Sequence, residues 1–329
     1  MTFDPNALSP LEVQAINAQA SVLMKRGIRL LSDGQPDAVA EALICFDRAL
    51  ELRSGLPIHS DPVLGYGLAA CWLNRADALV RLGDPAQFPA ALRAYDEGIG
   101  VMRGLPLAED ARFPRRLAIA HQNRGLALHA QGLTGVANAI VAFTEAIAIL
   151  DHDQAALIPD RQYLLAAVWM NLANARASEA TEESEVLARS AAQRAIALVT
   201  DVEVNDADAA EVGLKARHVL CQTIAGRLSQ TAASHEPMPD DVHQATDAVD
   251  DGLALARRWE QKGVARFRGV AYDLFRFGAR VYARYQPQFL NEFVLENMDP
   301  GRSSSDYVGS AEMRSAAQEA LELASRADG

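Results

Sequence analysis

The stretch Trp72-Leu-Asn-Arg-Ala-Asp-Ala-Leu-Val-Arg-Leu-Gly83 returns 49 residues later as His121-Gln-Asn-Arg-Gly-Leu-Ala-Leu-His-Ala-Gln-Gly132. Both copies read Asn-Arg-small, six further residues, then Gly. Degenerate copies are anchored at Lys25, Asn171 and Cys221, so the five anchors lie 49, 49, 48 and 50 residues apart. A second element keeps step: Phe46, Tyr95, Phe143 and Ala192 follow one another at 49, 48 and 49 residues. Two motifs locked to one period of this length indicate repeated helical hairpins, in which each unit buries its apolar face against the next.

The punctuation agrees. A first helix over about residues 63–82 is closed by Gly83-Asp84-Pro85, and a second, about 90–102, by Gly104-Leu105-Pro106. Gly past the last turn with Pro following is a stop signal. The next unit repeats the grammar, with helices over about 114–131 and 136–150. The composition is half apolar but only 6% aromatic, with no period-2 strand pattern, which favours helix throughout.

The chain of 329 residues carries a formal net charge of −12. That balance argues against general nucleic-acid binding, which needs a basic footprint. Cys45, Cys71 and Cys221 are odd in number and widely spaced, so no disulfide framework is implied. The N-terminus lacks the basic and apolar regions of a secretory signal, and no membrane span is expected. A cytoplasmic protein is the expectation.

The chain resembles the tetratricopeptide repeat (TPR) family. Trp72, Asn74, Ala76, Gly83, Ala91, Tyr95 and Gly98 match that family's pattern in order, as do Asn123, Gly125, Gly132, Ala139, Phe143 and Ala146. The departure is the period, near 49 against about 34 residues in the family. The resemblance implies an all-α, right-handed TPR-like α-solenoid of five to six helical hairpins. Residues 1–15 would form an N-terminal extension, 16–258 the repeats, and 259–329 capping helices with a decayed sixth hairpin.

The later repeats loosen. The fourth has lost its closing Gly, and Ser178 to Glu185 reads as a long acidic turn. The fifth carries an insertion at Thr231 to Asp241 whose prolines exclude helix. A further insertion is expected at about 286–307, with a flexible loop at Gly301 to Ser305 and a last helix over about 310–327. Between Ala177 and Leu255 there are 15 acids against 5 bases.

Two candidate sites emerge. In the resembling architecture the first helix of each hairpin lines a concave groove, and equivalent positions form a ladder across it. That ladder is Lys25, Asn74, Asn123 and Asn171, with Asp77 and Asn174 one step along and Arg81 a turn further. A side-chain amide offers a donor and an acceptor, which suits the backbone of an extended peptide. These Asn residues equally suit bonds to a neighbouring helix. In relatives that clamp a peptide's terminal carboxylate, Asn at this position touches the ligand, but Met24, Ile28 and Ala127 hold other clamp positions here. Arg75 and Arg124 turn either into the hairpin or toward solvent.

The second candidate is an arginine-rich, aromatic-rich segment. Arg276, Arg280 and Arg284 recur every four residues on one helix face, with Arg266 and Arg268 upstream. This is either a docking face or a cap whose arginines meet the acids of the preceding repeats. His218-x-x-Cys221 has the spacing of two metal ligands without a second pair, so no metal is expected. No phosphate loop, nucleophile elbow or zincin motif occurs, and no cofactor or enzymatic activity is expected. The expected function is a protein-interaction scaffold or adaptor holding a peptide or partner domain in the groove. The alternative is a regulatory or sensor repeat protein that changes curvature on binding a signal peptide or target enzyme. The oligomeric state is not legible.

Overall fold

Proline and short polar caps decide where the helices begin. Helix α1 (Pro10–Asp33) starts with Pro10 in its first turn behind Ser9, whose hydroxyl accepts from the Glu12 amide while Glu12 bonds back to Ser9. Pro36 opens α2 (Pro36–Ser54), and Asp61 with Pro62 opens α3 (Pro62–Leu82). The computed structural model describes residues 8–231, 239–298 and 311–327. The remaining helices are α4 (Phe88–Arg103), α5 (Arg112–His129), α6 (Leu133–Asp151), α7 (Arg161–Ala177), α8 (Glu182–Val199), α9 (Ala207–Thr231), α10 (Pro239–Gln261), α11 (Arg268–Tyr285), α12 (Pro287–Met298) and α13 (Ala311–Ala327). No strand occurs among the described residues. The fold is an all-α helical repeat, an α-solenoid of stacked hairpins.

The chain divides into two compact units, Met1–Arg161 and Gln162–Gly329, a boundary inside the array expected over residues 16–258. In the first unit α1 pairs with α2, α3 with α4 and α5 with α6, and each hairpin packs on the next through α2 on α3 and α4 on α5. The repeat-locked residues make these contacts. Phe46, Tyr95 and Phe143 are almost wholly buried. Gly27 and Gly125 face the Phe46 and Phe143 rings so closely that a Cβ would stand 2.5 Å and 2.6 Å from them, which is why the small position must be small. Ion pairs repeat in register: Arg75 reaches back to Asp47 at 2.6 Å, and Arg124 to Asp96 at 2.8 Å. Arg53, buried, joins three helices by donating to Asn17 Oδ1, Ser21 Oγ and the Gly67 carbonyl.

In the second unit α9 packs on α8 and α10, and α11 on α9, α10, α12 and α13. One hydrophobic cluster runs from Ala173 to Ala320, with Phe275 stacked on Phe293 at 5.4 Å between centroids. Its polar anchor is the bidentate pair of Arg217 with Glu203 at 2.8 Å and 2.9 Å, both side chains about 5% exposed, with Trp259 Nε1 donating to the Glu203 carbonyl.

Several expectations are corrected. The acidic turn shrinks to residues 178–181, because Thr181 caps α8 and Glu182, Glu183 and Glu185 form its first turn, where carboxylates complement the helix dipole. Pro239 opens α10 instead of excluding helix, since a first-turn proline lacks only an N–H that would be unpaired anyway. The expected insertion after residue 286 begins with a helix, α12, which buries Leu290 and Phe293. Gly132 does not close α5, which ends at His129; it stands at the N-cap of α6 with φ 70°. Helix α6 is long and apolar enough to cross a membrane by length and composition, with a mean hydropathy of 1.8, against the expectation that no stretch would be. Here it is the partner of α5, burying Ile140, Phe143 and Leu150. The loop expected at Gly301 to Ser305 lies outside the described residues, as do residues 232–238 of the fifth-repeat insertion.

Candidate functional site

The first-helix face of the Met1–Arg161 unit carries most of the expected ladder, and its side chains are largely committed to the fold. Asn74 is buried, and its amide donates back to the Ala70 carbonyl one turn earlier at 2.7 Å. Asn123 donates to Asp77 Oδ1 at 3.2 Å, and the Tyr95 hydroxyl donates to the same oxygen at 2.5 Å. Burial, then the Asp77 carboxylate, pushes the Tyr95 hydroxyl pKa far up, so it stays a donor. Arg81 donates to the Leu31 carbonyl at 2.8 Å, serving the last turn of α1. Lys25 alone of this set stands exposed without being drawn into the cluster. Arg116 was not singled out by the sequence; its charge bears on Tyr95, and its buried Nε has no hydrogen-bonding partner.

In the same unit two equivalent clefts lie one repeat apart. One is lined by Asp47, Trp72, Arg75 and Glu97, the other by Asp96, His121, Arg124 and Glu145. His121 takes the place of Trp72 and is 2% exposed. Its Nδ1 lies 2.8 Å from Glu145 Oε2 but off the line of a hydrogen bond, so neither ring nitrogen is satisfied. Burial lowers the imidazole pKa to about 4, against the opposing pull of Glu145 and with help from Arg103 and Arg124. The ring is neutral near pH 7.

The Gln162–Gly329 unit gathers the other candidate set. Arg266 pairs with Asp208 at 2.6 Å and Glu211 at 3.5 Å, and Arg268 with Glu260 at 2.9 Å, so these two tie α11's approach to α9 and α10. The remaining three do something different. Arg276, Arg280 and Arg284 all line one pocket of about 360 Å³ between α9 and α11, and all three are exposed. Arg280 reaches Glu319 of α13 at 3.2 Å, and Arg284 lies 5.5 Å from the centre of the Tyr285 ring. Arg276 has no ion pair or hydrogen bond among the described residues.

Phe277, Val281 and Tyr285 form the apolar side of that pocket, one residue after each arginine. The facing wall comes from α9: His218, Cys221 and Gln222. Nε2 of His218 meets Gln222 Nε2 at 3.3 Å, and burial lowers the imidazole pKa despite Asp273 nearby. Burial raises the Cys221 thiol to about 12, so it offers apolar surface and not a thiolate. Gln222 also lines a smaller cavity of about 180 Å³ that holds Asn174, the exposed outer member of the expected ladder. Asn171 is buried on α7. The structure thus brings Asn174 near the arginine pocket through Gln222, while Asn171 stays inside.

No family model matches the chain, and no curated protein does. Among solved structures it is similar to the S. pombe nuclear import adaptor Nro1, with a TM-score of 0.48 and 11% identity over 96% of this chain and 95% of that one. A likeness of that degree says nothing about what this chain binds.

Proposed function

We propose that this chain is a non-enzymatic, TPR-like interaction protein of the cytoplasm that holds a segment of a partner protein in the pocket between α9 and α11. The observation that carries the reading is the exposed row of Arg276, Arg280 and Arg284 beside an apolar wall. A concave, mainly apolar site with a few convergent charges is the usual form of a binding pocket. Arginine and aromatic side chains are also the residues that dominate partner recognition. Nucleic acid is disfavoured by the net charge of −12 and by Asp273 and Glu319 flanking the row. The first-helix ladder at Asn74 and Asn123 is a weaker partner site, because its amides already bond within the fold.

Affinity capture from native lysate, read by mass spectrometry, tests this with Arg276→Glu/Arg284→Glu beside Asn74→Ala/Asn123→Ala. Loss of partners in the arginine variant, with far-ultraviolet circular dichroism unchanged, is the expected result. Equal capture by the arginine variant and wild type would sink the assignment.

A further inference from the structure

The arginine pocket has a geometry that selects one kind of segment. Along α11 its two rows run side by side, Arg276, Arg280 and Arg284 in one and Phe277, Val281 and Tyr285 in the other. Four residues of helix advance about 6 Å. Two residues of an extended chain advance about 6.6 Å and bring the side chain back to the same face. An extended segment laid along α11 therefore meets an arginine with every second side chain, drifting only about 1 Å along the axis. Over the same distance the row turns about 80° around the helix, and the long arginine side chains span that turn. The side chains in between turn to the opposite face, toward the facing wall at Cys221 and Ala225 of α9.

We infer that the pocket binds an extended segment in which acidic and apolar residues alternate, three acids facing Arg276, Arg280 and Arg284 in turn. This rests on the pocket being the partner site proposed above. The charges around it fix the register. Asp273 lies on the Arg276 side of the row and repels a fourth acid there, while Glu319 approaches only Arg280, from α13. His218 and Gln222 bond to each other across the facing wall and leave the arginines as the cations of the site. Carboxylates on guanidinium forks make charge-assisted hydrogen bonds that a lysine row would hold less specifically. A helical ligand could also place acids 6 Å apart, but α9 and α11 pack directly on one another. A helix about 10 Å across would ride above Val281 and Cys221 without reaching them.

The test is fluorescence anisotropy on the full chain with labelled, C-terminally amidated peptides. One carries the core Asp-Phe-Asp-Leu-Asp between Gly-Ser flanks; a second has the same composition at helical i, i+4 spacing; a third arm is a single-stranded oligonucleotide of equal charge. The alternating peptide is expected to bind at least tenfold tighter than either. Arg276→Glu, Arg280→Glu and Arg284→Glu should each weaken it about tenfold. A peptide with Lys at the matching acid should recover binding to one of these variants only, with circular dichroism confirming that each variant is folded. Equal affinity for the helical-spaced peptide, or Lys rescue without position dependence, would overturn the alternation while leaving a partner-protein pocket standing. Tighter binding of the oligonucleotide would overturn the protein-partner reading as well. Binding of none of the three arms would overturn both.

Discussion

Ala180 holds φ at 52°, the only positive value at a non-glycine residue among those described. Gly34 and Gly83 occupy the same left-handed region at the corresponding hairpin turns, and the fourth repeat has lost that glycine. A Cβ in this region costs about 1–2 kcal/mol, so Ala180→Gly should raise stability by roughly 1 kcal/mol after its larger unfolded-state entropy is subtracted. Urea unfolding followed by circular dichroism measures this, and a variant less stable than wild type would show the strain to be absent. His121 gives a second residue-scale prediction. Its folded pKa of about 4 lies below the ordinary 6.5, so the unfolded chain takes up a proton that the folded chain refuses across that window. Stability is fully present above about pH 6.5 and falls as the pH is lowered toward 4. His121→Phe should remove about 1–3 kcal/mol of that pH dependence, by the usual 1.4 kcal/mol per pKa unit with allowance for the nearby Glu145. Parallel acid slopes for variant and wild type would contradict it.

At the scale of elements, the hairpins were legible and their loops were not. Period, the glycine that closes α3 at Gly83 and the recurring Phe46, Tyr95 and Phe143 report packing within 50 residues of chain, and α1 to α6 follow them closely. The misread stretches share one physical cause: residues that end a helix also begin one. Glu182, Glu183 and Glu185 suit a solvated turn and a helix N-terminus equally, and Pro239 and Pro287 punctuate by starting α10 and α12. The arginine row was visible from its four-residue spacing, but its facing wall, His218 and Gln222, comes from α9, over 50 residues earlier, and only packing brings it there. Asn74 shows the converse. Sequence fixes its repeat position but not its rotamer, and the rotamer sends the amide to Ala70. Element pairing also depends on one buried ion pair. Glu203→Gln leaves Arg217 an uncompensated buried charge between α8 and α9, with an expected loss of about 3–5 kcal/mol. A midpoint unchanged within a few tenths of a molar urea would show that pair to be dispensable.

Across the molecule, stability in a repeat array is close to a sum of unit and nearest-neighbour terms, so a local lesion should spread only as far as its shared core. The two units differ in how that core is divided. In Met1–Arg161 one cluster joins α1, α2 and one face of α3, and another joins the opposite face of α3 with α4 and α5. In Gln162–Gly329 one large cluster links α7 through α13, beside a smaller one shared by α7, α8 and α9. Gly125→Val forces a side chain into the Phe143 ring and overpacks the α5–α6 hairpin, costing about 1–3 kcal/mol. Native-state hydrogen exchange read by mass spectrometry should then show protection falling most in α5 and α6, less in α3 and α4, and least in α1 and α2. Glu203→Gln, at a residue tied to Trp259 of the large cluster, should instead lower protection together across α8, α9, α10 and α11. Equal loss in α1 and α5 for the glycine variant would mean that the first unit opens as one cooperative block, because a core split into separate clusters has sub-global openings below the global free energy.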